Sequence, residues 1–342
     1  MPPTVSVVIP AYNARDWIRE TVESVFQQTC SPADVELIIV DDASPDDTAE
    51  WARSLVRHRA ISAQVVQCTQ NRGVSAARNV GWNLARGEWI QFLDADDLLA
   101  PHKVELQMAA ARQAPADVAV VYSNWQELCL IDDAWQLVPP VHELFVDDNP
   151  VVRILQDQFF GYVGPALIRK SALASIGGFN EACSLAEDLD CMLRLAMAGE
   201  RFCRVDSDSV AFFYRWTPES LWKDAVRDVA KMRMFLGVFM RAEDFLRSRR
   251  ADGWLSSGAR VALVRRYFRW APFYLEYDPV SFREITRRIT RLGVEPGDHL
   301  NRKLRLLSKT VGWERALRLR SLYRRGSALL QGSQRSPRLL CN

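Results

Sequence analysis

The chain has 342 residues, 48% hydrophobic and 25% charged, with a formal net charge of +2. Such a composition supports one large core or two modest ones and excludes disordered and fibrous classes. No apolar run approaches the roughly 18 residues needed to span a bilayer. The opening MPPTVSVVIPAYN lacks the basic, apolar and small-residue succession of a secretory leader, so the expectation is a cytoplasmic protein. Seven cysteines, at positions 30, 68, 129, 183, 191, 203 and 341, are scattered and never spaced C-x-x-C. That pattern argues against a disulfide framework and a zinc site, and favours small buried apolar residues.

Charge is unevenly placed. Up to Trp222 the chain carries about 17 basic and 31 acidic residues, and beyond it about 27 and 11. The expected division is therefore residues 1–222 and 223–342, two regions that meet different partners.

In chain order, VSVVIP (Val5 to Pro10) and VELIIV (Val35 to Val40) are β-branched and apolar on both faces, as buried parallel strands are. The intervening ARDWIRETVESVFQQT carries Trp17, Ile18, Val22, Val25 and Phe26 at helical spacing, which completes a βαβ unit. The alternation continues with a helix from about Thr48 to His58, a strand near Ile61 to Gln67 and a helix from about Val74 to Arg86. The strand Trp89 to Leu93, a helix opened by Pro101 and running to about Gln113, and a strand Asp117 to Ser123 follow. Residues 124–160 suit a variable loop region or a small antiparallel sheet. Gly161 to Arg169 reads as a strand, SLAEDLDCMLRLAMAGE as a helix and SVAFFYRW as a closing strand. From about Lys223 the chain reads as helical and basic, up to a Ser, Arg and Pro-containing tail at 332–342.

In a doubly wound sheet, ligands bind beyond the carboxyl ends of the strands, and the polar motifs fall there: AYN after the first strand, DDASPDD after the second, NRG after the third and DADD after the fourth. Asp94, Asp96 and Asp97 crowd three carboxylates into four positions behind a hydrophobic strand. A divalent cation would cancel their repulsion, since Mg²⁺ is held by one or two carboxylates plus substrate phosphates. A turn and helix cap is the structural alternative. Asp41 and Asp42 end the second strand, where a carboxylate can accept from a base N–H or a ribose hydroxyl; Asp46 and Asp47 suit capping of the next helix.

Together VSVVIPAYN, IIVDDASPDDT, NRGVSAARNVGW, GEWIQFLDADD, IGGFNE and AEDLDCMLRL, in this order and spacing, resemble the inverting family-2 glycosyltransferases over about residues 4–220. The resemblance implies a GT-A, Rossmann-like α/β fold with a mostly parallel sheet flanked by helices, followed here by a basic helical region that matches no motif. It also implies roles by position. Pro10, Ala11 and Tyr12 would line the nucleotide base, Asp42 would bind it with support from Asp41, and Arg78 would lie near nucleotide or diphosphate. Asp94 would reach ribose or metal, and Asp96 the metal, Mn²⁺ or Mg²⁺.

Asp188 would be the base that deprotonates the acceptor hydroxyl, with Glu187 orienting the acceptor and Asp190 pointing elsewhere. Gly178, in the GGFNE loop, would lie near sugar and acceptor, and Arg215 near diphosphate or acceptor. Some relatives carry a metal-ligating histidine after the last strand, where Trp216 and Thr217 stand here, so the third ligand stays open. The implied partners are a nucleotide-sugar donor, most often a UDP-sugar, and a glycan or lipid-linked saccharide. The basic region suits either contact with an anionic membrane surface or the solvated faces of an ordinary helical subdomain. No nucleic-acid-binding motif accompanies its charge. No P-loop is present. Other readings are a non-catalytic sugar-nucleotide-binding or scaffold protein on the same fold and a nucleotidyltransferase, which would release pyrophosphate.

Overall fold

A computed structural model describes residues 3–142, 149–156, 161–217, 228–249, 255–294, 308, 312–319 and 321. The chain divides into two compact units, Met1–Val238 and Phe239–Asn342.

The first unit is built on strands β1 (Val5–Ala11), β2 (Val35–Asp41), β3 (Ser62–Gln67), β4 (Trp89–Phe92), β6 (Val118–Tyr122), β9 (Ala166–Arg169) and β10 (Arg201–Arg204). These form one seven-stranded sheet in the order β10-β6-β9-β4-β1-β2-β3. All its pairs are parallel except those of β9, which runs antiparallel to both β4 and β6. Every residue of β1 and β2 is buried, as their unbroken apolar runs require of strands covered on both faces. Helices α1 (Ile18–Phe26), α2 (Thr48–Val56), α3 (Val74–Leu84), α4 (Lys103–Gln113), α5 (Pro150–Gln156), α6 (Lys170–Ser175) and α7 (Glu187–Ala198) accompany the strands. Strand order turns back at β1, which has β2 on one side and β4 on the other, so the crevice between the β1 and β4 carboxyl ends is the topological switch point.

A second sheet, β5-β11-β7-β8, joins β5 (Leu98–Leu99), β11 (Val210–Arg215), β7 (Asn124–Ile131) and β8 (Ala134–His142). The antiparallel β7–β8 pair supplies the small sheet expected between 124 and 160. Pairing of β11 with β5, Phe212 opposite Leu99, lays the end of β11 beside the aspartates that precede β5.

Several elements differ from the sequence reading, which has no counterpart of β5, α5 or α6. Helix α1 starts at Ile18, because Asn13 takes a left-handed backbone (φ 51°) and the Asn13 and Ala14 N–H groups donate to the hydroxyls of Ser44 and Thr48. The strand expected over 161–169 pairs only from Ala166, after Gly164 and Pro165, where proline has no N–H to give a ladder. Strand β10 is an edge strand of four residues with arginine at both ends, too short and too charged to show an apolar pattern.

In the second unit, α9 (Ser257–Tyr277) and α10 (Pro279–Leu292) follow α8 (Val229–Ser248), which begins in the first. Asp278 accepts from the Ser281 N–H at the start of α10, where Pro279 stands in the first turn. Buried Glu243 accepts from the Tyr267 hydroxyl and from Arg247 and Arg288, so this buried charge is paired. Among the described residues no helix is long and apolar enough to cross a membrane, and the six described cysteines are free thiols.

Candidate functional site

The carboxyl edge of the main sheet gathers the loops that the sequence motifs mark. Helix α3 lies directly on β1, an approach that Gly81 permits: a Cβ there would stand 2.2 Å from Val8 Cγ1. That packing sets Arg78, one turn earlier on α3 and 1% exposed, at the centre of an acidic group. One guanidinium nitrogen of Arg78 donates to Asp94 at 2.6 Å. The other reaches Asp188 at 2.5 Å and Glu187 at 3.2 Å. The Phe179 ring lies 5.1 Å from the guanidinium and packs edge-on against Phe92. Three carboxylates keep this arginine protonated against the cost of burial.

Asp94, Asp96 and Asp97 occupy the turn between β4 and β5, a turn that α1 braces from below. The Thr21 hydroxyl donates to the Ala95 carbonyl at 2.8 Å, and the Leu99 N–H donates to the Ser24 hydroxyl at 3.2 Å. Asp96 is pushed up to about 6, first by burial and then by the Asp94 charge, while the Thr217 hydroxyl, donating at 3.2 Å, pulls the other way. Asp97 is buried and raised well above the usual carboxylate range by burial and its two neighbours, and it accepts the Arg215 N–H at 2.8 Å. Thr217 thus stands beside Asp96, the carboxylate that the sequence resemblance offers to a metal.

Among the described residues no three His, Cys, Asp or Glu side chains form a ready cation cage. The donor set nevertheless fits a hard cation: two neighbouring carboxylates, one raised by burial and by the other's charge, with a hydroxyl alongside. Mg²⁺ and Mn²⁺ accept such oxygens and take the remainder from phosphates and water.

Asp188 opens α7 together with Glu187, directly after Ala186, whose left-handed backbone (φ 62°) is uncommon for a residue with a Cβ. Its second carboxylate oxygen accepts the Val163 N–H at 3.3 Å. Burial raises the Asp188 carboxyl most; Arg78 and Val163 oppose this, Glu187 and Asp94 add to it, and the result is about 7. An acid poised there serves as a proton acceptor near neutral pH. Asp190 faces away and pairs with Arg194 at 2.7 Å.

The other sequence-selected residues are distributed around this centre. Pro10 and Ala11 are the last residues of β1 and are buried, while Tyr12 just beyond is 48% exposed. The Asp42 carboxylate accepts the Arg72 N–H at 3.0 Å and the Gly73 N–H at 2.7 Å, fastening the NRG loop to the end of β2. Asp41 accepts the Ser44 N–H with one oxygen, and its other oxygen is buried without a hydrogen-bond partner among the described residues.

Gly178 (φ 72°) presses on α3, where a Cβ would stand 2.6 Å from Asn79 Oδ1 and 2.7 Å from Trp82 Nε1. Asn79 exchanges hydrogen bonds with the Phe179 backbone and donates to Glu181, locking the GGFNE loop onto the helix that carries Arg78. Arg215 is buried; its guanidinium pairs with Glu20 at 2.7 Å and lies 5.5 Å from the Trp17 ring and 5.1 Å from Trp135. Motif reading did not find Glu20, Trp135, Tyr162 or Val163. Tyr162, whose hydroxyl is held protonated by burial and by the nearby charges of Asp188 and Asp97, carries no local signal of its place.

The profile of the family described as glycosyl transferase family 2 matches residues 6–176. The succinoglycan biosynthesis protein ExoO of Rhizobium meliloti (strain 1021) is 28% identical over 261 residues, 73% of this chain and 70% of that protein; several other curated relatives are spanned over less than two thirds of their length. Residues 1–349 of S. aureus TarS, in a crystal structure with UDP-GlcNAc, superpose with a TM-score of 0.66 at 17% identity, covering 95% of this chain and 92% of that one. A mannosyltransferase from Pyrobaculum calidifontis, solved with GDP-Man and Mn²⁺, gives a TM-score of 0.53 at 18% identity over 94% of this chain and 88% of that one. At such identities the two structures show a common fold. With half its length under the family profile and that fold shared along nearly all of it, the chain belongs to glycosyl transferase family 2 and is a glycosyltransferase of the GT-A fold.

Proposed function

We propose that this glycosyltransferase moves a sugar, with inversion and with help from Mn²⁺ or Mg²⁺, from a nucleotide-diphospho-sugar to a hydroxyl of a glycan or lipid-linked saccharide. Its product would enter a cell-surface polysaccharide or glycoconjugate. The observation that carries this reading is the shared arginine: Arg78 joins Asp94, on the donor side of the crevice, to Asp188, poised at about 7. Residues 1–222 would form the catalytic region and residues 223–342 the basic one.

Inversion is a single in-line displacement. The acceptor oxygen forms its bond to the anomeric carbon as the bond to the diphosphate breaks. Asp188 takes the hydroxyl proton on the face opposite the leaving group. Glu187 shares Arg78 with Asp188 and orients the acceptor, and Arg78 confines both carboxylates while meeting Asp94. Pro10, Ala11, Tyr12 and Asp42 bound the base, with Tyr12 offering its exposed ring face. Gly178 shapes the sugar side through Phe179, and Arg215 braces the Asp97 turn. Asp96, next to Asp94, would hold the cation together with diphosphate oxygens. When bound, the ion neutralises charge growing on the departing diphosphate.

UDP is the donor nucleotide we infer, supported by the UDP-GlcNAc complex of the structural neighbour TarS. We place the enzyme in the cytoplasm at an anionic membrane face, supported by the exposed Arg283, Arg287 and Arg291 stripe of α10.

A donor panel with Mn²⁺ or Mg²⁺, read as released nucleoside diphosphate, tests the whole. Release is expected with one donor class, is lost in Asp188→Asn while nucleotide binding persists, and loses its metal response in Asp96→Asn. Full transfer by both variants rejects the roles; binding without release by the wild-type chain favours the non-catalytic reading.

A further inference from the structure

Behind the site, at the first residue of α4, Lys103 is fully buried. Among the described residues its amine donates to two amide oxygens, Gln91 Oε1 and, at 2.5 Å, Gln107 Oε1, and forms no ion pair. Burial alone pushes the amine well below the usual lysine range. An amine without a carboxylate in the core costs stability that an apolar side chain of similar volume would not. What it does give is direction. Because lysine offers donors to both glutamines, each amide must turn its oxygen inward and its NH₂ outward.

The outward groups converge on one turn. Gln91 Nε2 donates to the Gly164 carbonyl at 2.8 Å, and also to Phe92 O at the end of β4. Gln107 Nε2 donates to the Pro165 carbonyl at 2.7 Å, which also accepts from the Ser123 N–H at 3.2 Å. The next peptide back presents the Val163 N–H to Asp188 Oδ2, and the Val163 carbonyl accepts from Ala166. The two glutamine arms that hold this turn are therefore joined through one amine, while Ser123 and Ala166 hold the Pro165 and Val163 carbonyls beside them.

We propose that Lys103 is a positioning residue for the candidate base: through Gln91 and Gln107 it fixes the turn at 163–165 and so aims the Val163 N–H at Asp188. The inference rests on Asp188 being the base, but the network can be tested without that premise. In Lys103→Met both amides are free to flip, and the turn loses the fixed orientation of its two glutamine donors, keeping the Ser123 hydroxyl on the Pro165 carbonyl. Backbone hydrogen exchange over residues 162–166 is expected to quicken by about 10-fold or more. UDP binding in Mn²⁺ should stay within about 2-fold, while turnover with the best donor of the panel falls by about 10-fold.

The acid limb of the rate profile should also move to higher pH, because the Val163 N–H is one of the groups holding Asp188 down. The other groups that face Asp188 are Arg78, Asp94, Glu187, Tyr162 and Cys191, and the substitution removes none of them. Gln107→Met, which removes the Pro165 arm together with the bonds to Val121 and Ser123 and leaves the Gln91 arm, should give a smaller change in the same direction and serves if Lys103→Met does not fold. Glu36→Gln, in a buried network at the other end of the sheet, controls for loss of stability and should leave exchange at 162–166 unchanged. Wild-type exchange over 162–166 in folded Lys103→Met or in Gln107→Met overturns the proposal. Faster exchange with full transfer by Asp188→Asn would instead spare the network and reject Asp188 as the base.

Discussion

At the amino edge of the main sheet, Glu36 accepts from the Ser6 hydroxyl at 2.6 Å, from the Arg86 N–H at 2.6 Å and from Arg86 Nε at 2.8 Å. Burial pushes its carboxyl up, but these donors outweigh burial and hold it below the usual glutamate range. At the carboxyl edge, Asp188 is largely enclosed; among the described residues its one neutral donor is a backbone N–H, and its arginine is divided among three acids, so its carboxyl ends near 7. The same sheet therefore holds one carboxylate that is satisfied and one that is left able to take a proton. The difference lies in the count of donors per charge: an undivided set stabilises the ionised form, whereas a shared one leaves it close to neutralisation.

Removing the poised carboxylate sharpens the contrast most. Asp188→Asn keeps the shape and a hydrogen-bonding oxygen, so it should cost about 10²- to 10⁴-fold in turnover with little change in nucleotide affinity. With Asp188 as the proposed base, the wild-type reaction needs it ionised, so kcat/KM should fall as pH drops through about 7. A profile flat from pH 5 to 9 would deny the aspartate this task.

Arg78→Met attacks the sharing itself. It leaves Asp94, Glu187 and Asp188 facing one another without a cation, a change that typically costs about 3–5 kcal/mol when a buried pair loses one partner. Urea denaturation should show the loss, and it should shrink as pH falls and the acids take up protons. The signs agree: an acid raised in the folded state binds its proton there first, so acidification relieves the repulsion. Equal destabilisation at pH 5 and pH 8 would mean that lost packing, including the contact with Phe179, governs instead of charge.

Much of the frame was readable because apolar runs are local signals. β1, β2 and β4, and the helices α2, α3 and α4, begin and end within a few residues of where periodicity and caps put them. The acids were readable for the same reason: they sit at strand ends, where carboxylates need a stated partner. What the pattern did not carry was pairing across the chain. Arg78 meets Asp188 from 110 residues away, and Arg215 meets Glu20 from 195 away, and neither partner's neighbours in sequence announce it. Asp42 illustrates the limit from the other side. Its place at the end of β2 was evident, but its bonds to the NRG loop depend on how β3 and α3 return over the sheet.

Glu36→Gln gives the smallest expected effect and tests the satisfied side of the comparison. The amide keeps the volume but turns two donor-facing oxygens into one, so Ser6 or Arg86 is left facing an NH₂ group. A loss of about 1–3 kcal/mol at pH 7 follows from one unsatisfied charged hydrogen bond in the core. Because the folded-state carboxyl lies below its unfolded value, this stabilisation is fully present above the unfolded glutamate pKa and is lost as pH falls through the folded one. The gap in unfolding free energy between wild type and variant should accordingly close under acid, opposite in cause to the closing expected for Arg78→Met. In the first case an attraction is titrated away, and in the second a repulsion is. Turnover at pH 8 should stay within about 2-fold of wild type, since the amino edge reaches the crevice only through rigid strands.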